Sequence, residues 1–166
     1  MPALLLLRHA KSDWDADDGD DRLRPLAPRG RKASATIGKF IARAEQVPDA
    51  AIVSPAARAE ETLRRAREAG GWDCRVRSAE ALYSGGVSGL LSEIRAEPAE
   101  TDVLLAVGHE PTWSEAAAVL IGGGNLRLPT GALVRIDFGD DGWDAVGPGT
   151  GMLAWSVVPR LLREDR

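Results

Sequence analysis

One cysteine, Cys74, two histidines and three lysines are all that this chain of 166 residues holds of those types. A lone cysteine excludes an internal disulfide and a cysteine-built zinc site, and Cys74 reads as a small residue within a strand. No window approaches the roughly 20 apolar residues of a membrane span. The run Leu4–Leu7 is too short for the apolar region of a signal peptide, and charge follows it at once. A cytoplasmic location is therefore expected. Positive charge is not in excess either. A formal net charge of −4 gives no reason to expect nucleic-acid or anionic-membrane partners. Arginine outnumbers lysine eighteen to three, which reads as codon composition rather than a binding signal. The phosphate-cradling pattern G-x-x-x-x-G-K is missing as well. With 44% apolar and 28% charged residues, the composition is that of one ordinary globular domain spanning 1–166.

What the chain does hold is concentrated at two places. Ala3–Ser12 (A-L-L-L-L-R-H-A-K-S) is an apolar run that delivers Arg8 and His9 to its end. A short, continuously apolar run fits a strand buried on both faces of a parallel sheet. About a hundred residues later, Asp102–Pro111 (D-V-L-L-A-V-G-H-E-P) repeats the arrangement and ends in His109. Both histidines of the chain thus follow predicted core strands.

Between them, Asp13–Asp21 is a polar loop with six aspartates around Trp14 and Gly19. Counted as a calcium loop from Asp13, it has Asp18 where glycine is required and Arg24 where the bidentate glutamate belongs, so it reads as a solvated acidic loop. A helix is predicted from near Pro28, with Ala33, Ile37, Phe40, Ile41 and Ala44 as its buried stripe. Ala50–Val53 is a second strand. Ser54 follows as N-cap, with Pro55 at the first helical position and Arg58 in the first turn. The face carrying Glu60, Glu61, Arg64, Arg65 and Arg67 reads as solvated. Gly70–Gly71 ends that helix. A poorer strand over Cys74–Arg77, a helix over Ser88–Ala96, a strong strand over Val103–Val107 and a helix from Pro111 to about Leu120 follow. After the Gly122–Gly124 loop, Leu133–Phe138 and Leu153–Val158 form a final pair of strands that could be antiparallel.

Strands alternating with helices imply an α/β three-layer sandwich, with helices on both faces of a mostly parallel central sheet. Ligands of such sheets gather at the carboxyl ends of the strands. Arg8 with His9, Ser54 with Arg58, and Gly108 with His109 all fall there. Two arginines and two imidazoles at one rim suit a phosphoryl group, because the planar guanidinium matches phosphate oxygens. A helix N-terminus near Ser54–Arg58 would add favourable dipoles. Neutral histidine can attack phosphorus and give a covalent phosphohistidine that water then hydrolyses. His9, fixed beside Arg8, is the expected nucleophile, and His109 the expected donor to the phosphoryl oxygens.

The same residues resemble a known family. Arg8-His9-Ala10 is similar to the R-H-G signature of the histidine phosphatase (phosphoglycerate mutase-like) superfamily, most nearly of its small bacterial phosphohistidine phosphatase branch. Arg24-Pro25-Leu26 with Gly30 resembles R-P-L-x-x-x-G. Ser54-Pro55-x-x-Arg58-Ala59-x-x-Thr62 resembles S-P-x-x-R-A-x-x-T, and Gly108-His109-x-Pro111 resembles G-H-x-P. Four motifs in order across most of the chain make a specific match. The resemblance implies a phosphoglycerate mutase-like fold and His9 as phospho-acceptor. It implies a phosphate pocket of Arg8, Arg58 and His109, Arg24 as an additional phosphate contact, and no metal or organic cofactor. Ala10 departs from the signature glycine and could change how closely the backbone approaches phosphate.

Alkyl phosphates benefit from a positioned carboxylic acid. Glu80, in A-E-A-L-Y, is the candidate general acid, against a reading as a solvent-facing residue before a helix. Phosphohistidine needs such an acid less, because imidazole leaves more readily than an alkoxide, and Glu80–Glu100 is short for a deep lid. The expected activity is therefore hydrolysis of protein phosphohistidine. A small-molecule phosphomonoesterase with the same mechanism and a non-catalytic phosphate-binding module are the alternatives.

Overall fold

In a computed structural model, which describes residues 1–16 and 19–163, six strands form a single sheet. Asp17 and Asp18 of the acidic loop lie outside the described residues. In chain order the elements are β1 (Ala3–Arg8), α1 (Pro28–Arg43), β2 (Ala50–Val53), α2 (Ala57–Gly70) and β3 (Arg75–Ser78). They continue with α3 (Ala81–Ser84), α4 (Gly86–Arg95), β4 (Val103–Gly108), α5 (Thr112–Leu120), β5 (Leu133–Phe138) and β6 (Gly151–Val157). The sheet order is β3-β2-β4-β1-β5-β6. The first four strands are mutually parallel, whereas β5 runs antiparallel to both β1 and β6. The expected mostly parallel sheet and the antiparallel final pair are both present.

The apolar runs explain the layering. Alternate residues of β1 face opposite sides, as the period of two requires. Leu4 and Leu6 join α4 and α5 through Leu90, Ile94, Trp113 and Leu120. Leu5 and Leu7 join α1 and α2 through Ile37, Ile41, Leu63 and Ala66. All four leucines are fully buried, so a strand without a polar face is what a two-sided core demands. In register, Arg8 stands opposite Gly108, so β1 and β4 end together at the middle of the sheet. From there the chain leaves β1 toward α1 on one face and leaves β4 toward α5 on the other. Such a divergence opens a crevice at the strand ends.

Three local expectations are corrected. The buried residues of α1 are Gly30, Ser34, Ile37, Gly38 and Ile41, while Ala33, Phe40 and Ala44 are only half-buried. Small residues mark the contact because backbones approach closely there: a Cβ on Gly38 would lie 1.9 Å from the Ala66 carbonyl oxygen on α2. The second helix starts at Ala57, not at Pro55, because Ala56 is still extended at ψ 137°; the Ser54 hydroxyl accepts the Ala56 N–H at 3.3 Å and also contacts His109. The Ser88–Ala96 helix is preceded by a separate turn of helix, α3, and itself begins at Gly86.

Candidate active site

The crevice is a cleft of about 300 Å³ lined by Arg8, His9, Ser12, Trp14, Asp21, Arg24, Arg58, His109 and Glu110, with Lys11 and Thr130. Each side chain arrives for an identifiable reason. His9 extends the β1–β4 ladder by one bond, its N–H donating to the Gly108 carbonyl at 2.9 Å. Gly131, in a left-handed turn at φ 78°, donates its N–H to the carbonyls of Arg8 and His9 at 3.1 Å each. Gly108 has to be glycine, since a Cβ there would lie 2.1 Å from the Trp113 ring. Arg58 sits in the first turn of α2 with only 6% exposure. Thr62, one turn on, donates to the Arg58 carbonyl at 2.7 Å and accepts the Ala10 N–H at 3.0 Å, tying α2 to the chain after β1.

The imidazole of His9 is fixed by its Nδ1, 2.7 Å from the Ala10 carbonyl oxygen. A carbonyl can only accept, so Nδ1 carries the proton and Nε2 keeps its lone pair. Burial is the main influence on His9, and the neighbouring His109, Arg58 and Arg8 act in the same direction, against the Ala10 contact. Together they push its pKa down to about 3. His109 lies beside it, ring centroids 5.2 Å apart, and contacts the Ser54 hydroxyl through Nε2 at 2.7 Å. Burial, then Arg58, lowers its pKa to about 4. Both rings are neutral at pH 7. His109 Nδ1 and the Nε atoms of Arg8 and Arg58 are buried without a partner among the described residues, so two guanidinium N–H groups and one imidazole nitrogen are left unsatisfied beside the cleft. Arg8 is held from behind, Nη1 donating to the Leu128 carbonyl at 2.8 Å.

The expected residues Arg8, His9, Arg24, Arg58 and His109 are thus brought into one cleft. Arg24 is anchored by Ser12 Oγ at 3.1 Å, with its guanidinium carbon over the Trp14 ring, 3.6 Å from the centroid. The substitution at Ala10 is accommodated because its methyl is fully buried and is not among the residues lining the cleft. Glu80 is not brought in. It stands beyond the lining, its carboxylate bridged by both terminal nitrogens of Arg22, which holds its pKa down. A carboxyl kept ionised by a guanidinium is poorly suited to donate a proton.

Several site residues were not singled out from the sequence. Asp21 reaches into the cleft and is contacted by Arg58, Arg24 and Tyr83. Glu110 lines the cleft, with one oxygen capping α5 by accepting the Ser114 N–H at 2.7 Å. Its place directly after His109 was a usable signal; that of Asp21 depended on how the loop folds. Glu61, read as solvated, is only 14% exposed. It accepts the Leu26 N–H and pairs with Arg31 and Arg65, clamping the R-P-L segment to α2. Gly30 in the same motif is explained by close approach, because a Cβ would lie 2.0 Å from the Lys11 carbonyl oxygen.

Comparison with known proteins agrees with this geometry. Residues 4–100 match the family described as the histidine phosphatase superfamily (branch 1). The uncharacterized protein Rv1276c of Mycobacterium tuberculosis (strain ATCC 25618 / H37Rv) is 34% identical over 164 residues, covering 93% of this chain and 100% of that protein. A solved structure from Nakamurella multipartitia, of a protein proposed to be the phosphohistidine phosphatase SixA, superposes with a TM-score of 0.84. It shares 26% identity, over 95% of this chain and 96% of that one. The protein histidine phosphatase SixA complexed with tungstate superposes at 0.83 with 21% identity, over 97% of this chain and 99% of that one, a likeness of fold.

Proposed function

This chain belongs to the histidine phosphatase superfamily, and from that premise we propose that it hydrolyses phosphohistidine on proteins through a phosphorylated His9. The observation that carries the reading is the tautomer of His9. With Nδ1–H spent on Ala10, a neutral Nε2 is available in a cleft lined by three arginines.

The steps follow from that placement. Arg8 and Arg58 hold the phosphoryl oxygens, and Arg24 adds a further contact. The Nε2 lone pair of His9 forms the N–P bond as the bond from phosphorus to the leaving group breaks. His109, accepting from Ser54 at Nε2, donates its Nδ1–H to a phosphoryl oxygen as charge shifts during transfer. Water then attacks the phosphohistidine, releasing phosphate and restoring neutral His9. An imidazole leaving group makes little demand on a general acid, which accords with Glu80 being tied to Arg22. The likeness to the Nakamurella protein, itself proposed to be the phosphohistidine phosphatase SixA, supports the same substrate.

A small phosphomonoester is the second reading, and Glu110 is the observation that favours it, being a carboxyl group in the cleft itself. Leaving-group dependence separates the two. We expect kcat/KM for a phosphohistidine peptide to exceed that for an alkyl phosphate, and Glu110→Gln to leave the peptide rate nearly unchanged. An alkyl phosphate turned over faster than the peptide, and lost on Glu110→Gln, would establish the second reading.

A further inference from the structure

The steps above give no task to Asp21, the residue most heavily bonded to the arginines of the cleft. Its Oδ2 accepts from Arg58 Nη2 at 3.0 Å and from the Tyr83 hydroxyl at 2.8 Å. Its Oδ1 accepts from Arg24 Nη1 at 2.5 Å, and its carbonyl from Arg58 Nη1 at 2.7 Å. One terminal nitrogen each of Arg58 and Arg24 is therefore committed to the Asp21 carboxylate, and the other terminal nitrogen of Arg58 to its main-chain carbonyl. Among the buried nitrogens of the cleft, Nε of Arg58, Nε of Arg8 and Nδ1 of His109 have no partner among the described residues.

The acid is held from two sides. Asp20 caps the short 3-10 turn Asp21–Leu23 by accepting the Arg22 N–H at 3.0 Å. Arg22 in turn pairs with Glu80 and lies over the Tyr83 ring at 4.3 Å, and Tyr83 on α3 reaches back to Asp21. Burial works against the charge of Asp21. The hydrogen bonds from Tyr83, Arg24 and Arg58 outweigh it and hold the carboxyl well below the usual carboxylate range.

We propose that Asp21 is a specificity-determining residue: its carboxylate takes one outer donor each of Arg58 and Arg24, so the cleft accepts one phosphoryl group with a neutral or cationic neighbour and rejects one with a second anion beside it. The inference rests on the phosphate-handling reading above and deepens it. A substrate carboxylate or second phosphate finds those guanidinium edges occupied and meets a like charge. At roughly 6 Å and the intermediate dielectric of a half-exposed site, that repulsion is worth about tenfold in binding. An imidazole or peptide N–H beside the phosphoryl group instead meets an acceptor.

The test is isothermal titration of ethyl phosphate and phosphoglycolate, which differ in a carboxylate beside the phosphate ester, at fixed ionic strength. Phosphorus NMR checks that both ligands survive the titration. Wild type should prefer ethyl phosphate by about tenfold or more. Asp21→Asn should narrow that ratio by about tenfold, through tighter phosphoglycolate. Tyr83→Phe, which keeps the carboxylate on both arginines, should hold the ratio within about threefold of wild type, since the charge remains. An unchanged ratio in Asp21→Asn would overturn the proposal. So would parallel weakening of both ligands, which would make Asp21 a support for Arg58 only, or a collapse of the ratio in Tyr83→Phe. If neither ligand bound wild type, the phosphate-handling reading would fall and this inference with it. Normal binding with an unchanged ratio removes this inference alone.

Discussion

Acidification should destabilise this protein through His9 before most of its carboxylates are protonated. His9 is 7% exposed and remains neutral down to about pH 3 when folded, whereas an unfolded histidine takes up a proton near pH 6.5. Between those values the unfolded chain binds the extra proton, so stability falls as pH falls; above 6.5 His9 contributes no pH dependence. The loss by pH 5 is about 1.5 pH units' worth, or ~2 kcal/mol. His109, with a folded pKa of about 4, adds in the same direction, less because it is more exposed. Urea denaturation at pH 7, 6 and 5 would measure this in wild type and His9→Asn. With an m-value of ~2 kcal/mol/M, the wild-type midpoint should drop by about 1 M more than that of the variant. Parallel midpoints for the two proteins across this range would refute the claim that His9 is held neutral by the fold.

Three further outcomes follow from the geometry. Gly30→Ala and Gly108→Ala each place a methyl against atoms about 2 Å away, so each should destabilise by about 1–3 kcal/mol and lower Tm by several degrees in a thermal melt. A Tm equal to wild type in either would show that the contact relaxes freely. Arg58→Lys removes the planar fork and leaves Asp21 one fewer partner; kcat/KM should fall by ~10²–10³ with the fold intact by circular dichroism. Glu80→Gln, which loosens Arg22 outside the cleft, should change turnover of a phosphohistidine peptide by less than about threefold, the range of an exposed ion pair. A far larger loss would return Glu80 to the chemistry.

The sheet was legible because the sequence carries its burial openly. Leu4–Leu7 and Val103–Val107 read as strands covered on both faces, and their ends put Arg8, His9 and His109 together. The helix contacts were less legible. Gly30, Ser34 and Gly38 make the tight side of α1, and small residues leave no hydrophobic period to read. The start of α2 was less legible because Ser54-Pro55 has the local form of a cap, while Ala56 stays extended and the serine hydroxyl serves both the Ala56 N–H and a histidine distant in sequence. Glu61 was hidden in a run of surface-like charges, and its role depends on Leu26 and Arg31 arriving from another segment. Asp21 could not be separated from the other aspartates of its loop by sequence. Among the described aspartates of the loop, it is the folded backbone that brings Asp21 to Arg58.

The central claim is the nucleophilic role of His9, and it can be tested by rapid-quench intact-mass analysis during turnover of a phosphohistidine peptide and an aryl phosphate. The account predicts a wild-type adduct of one phosphoryl group that is lost in acid and never forms in His9→Ala. Equal turnover by both proteins, with no adduct on either, would contradict it.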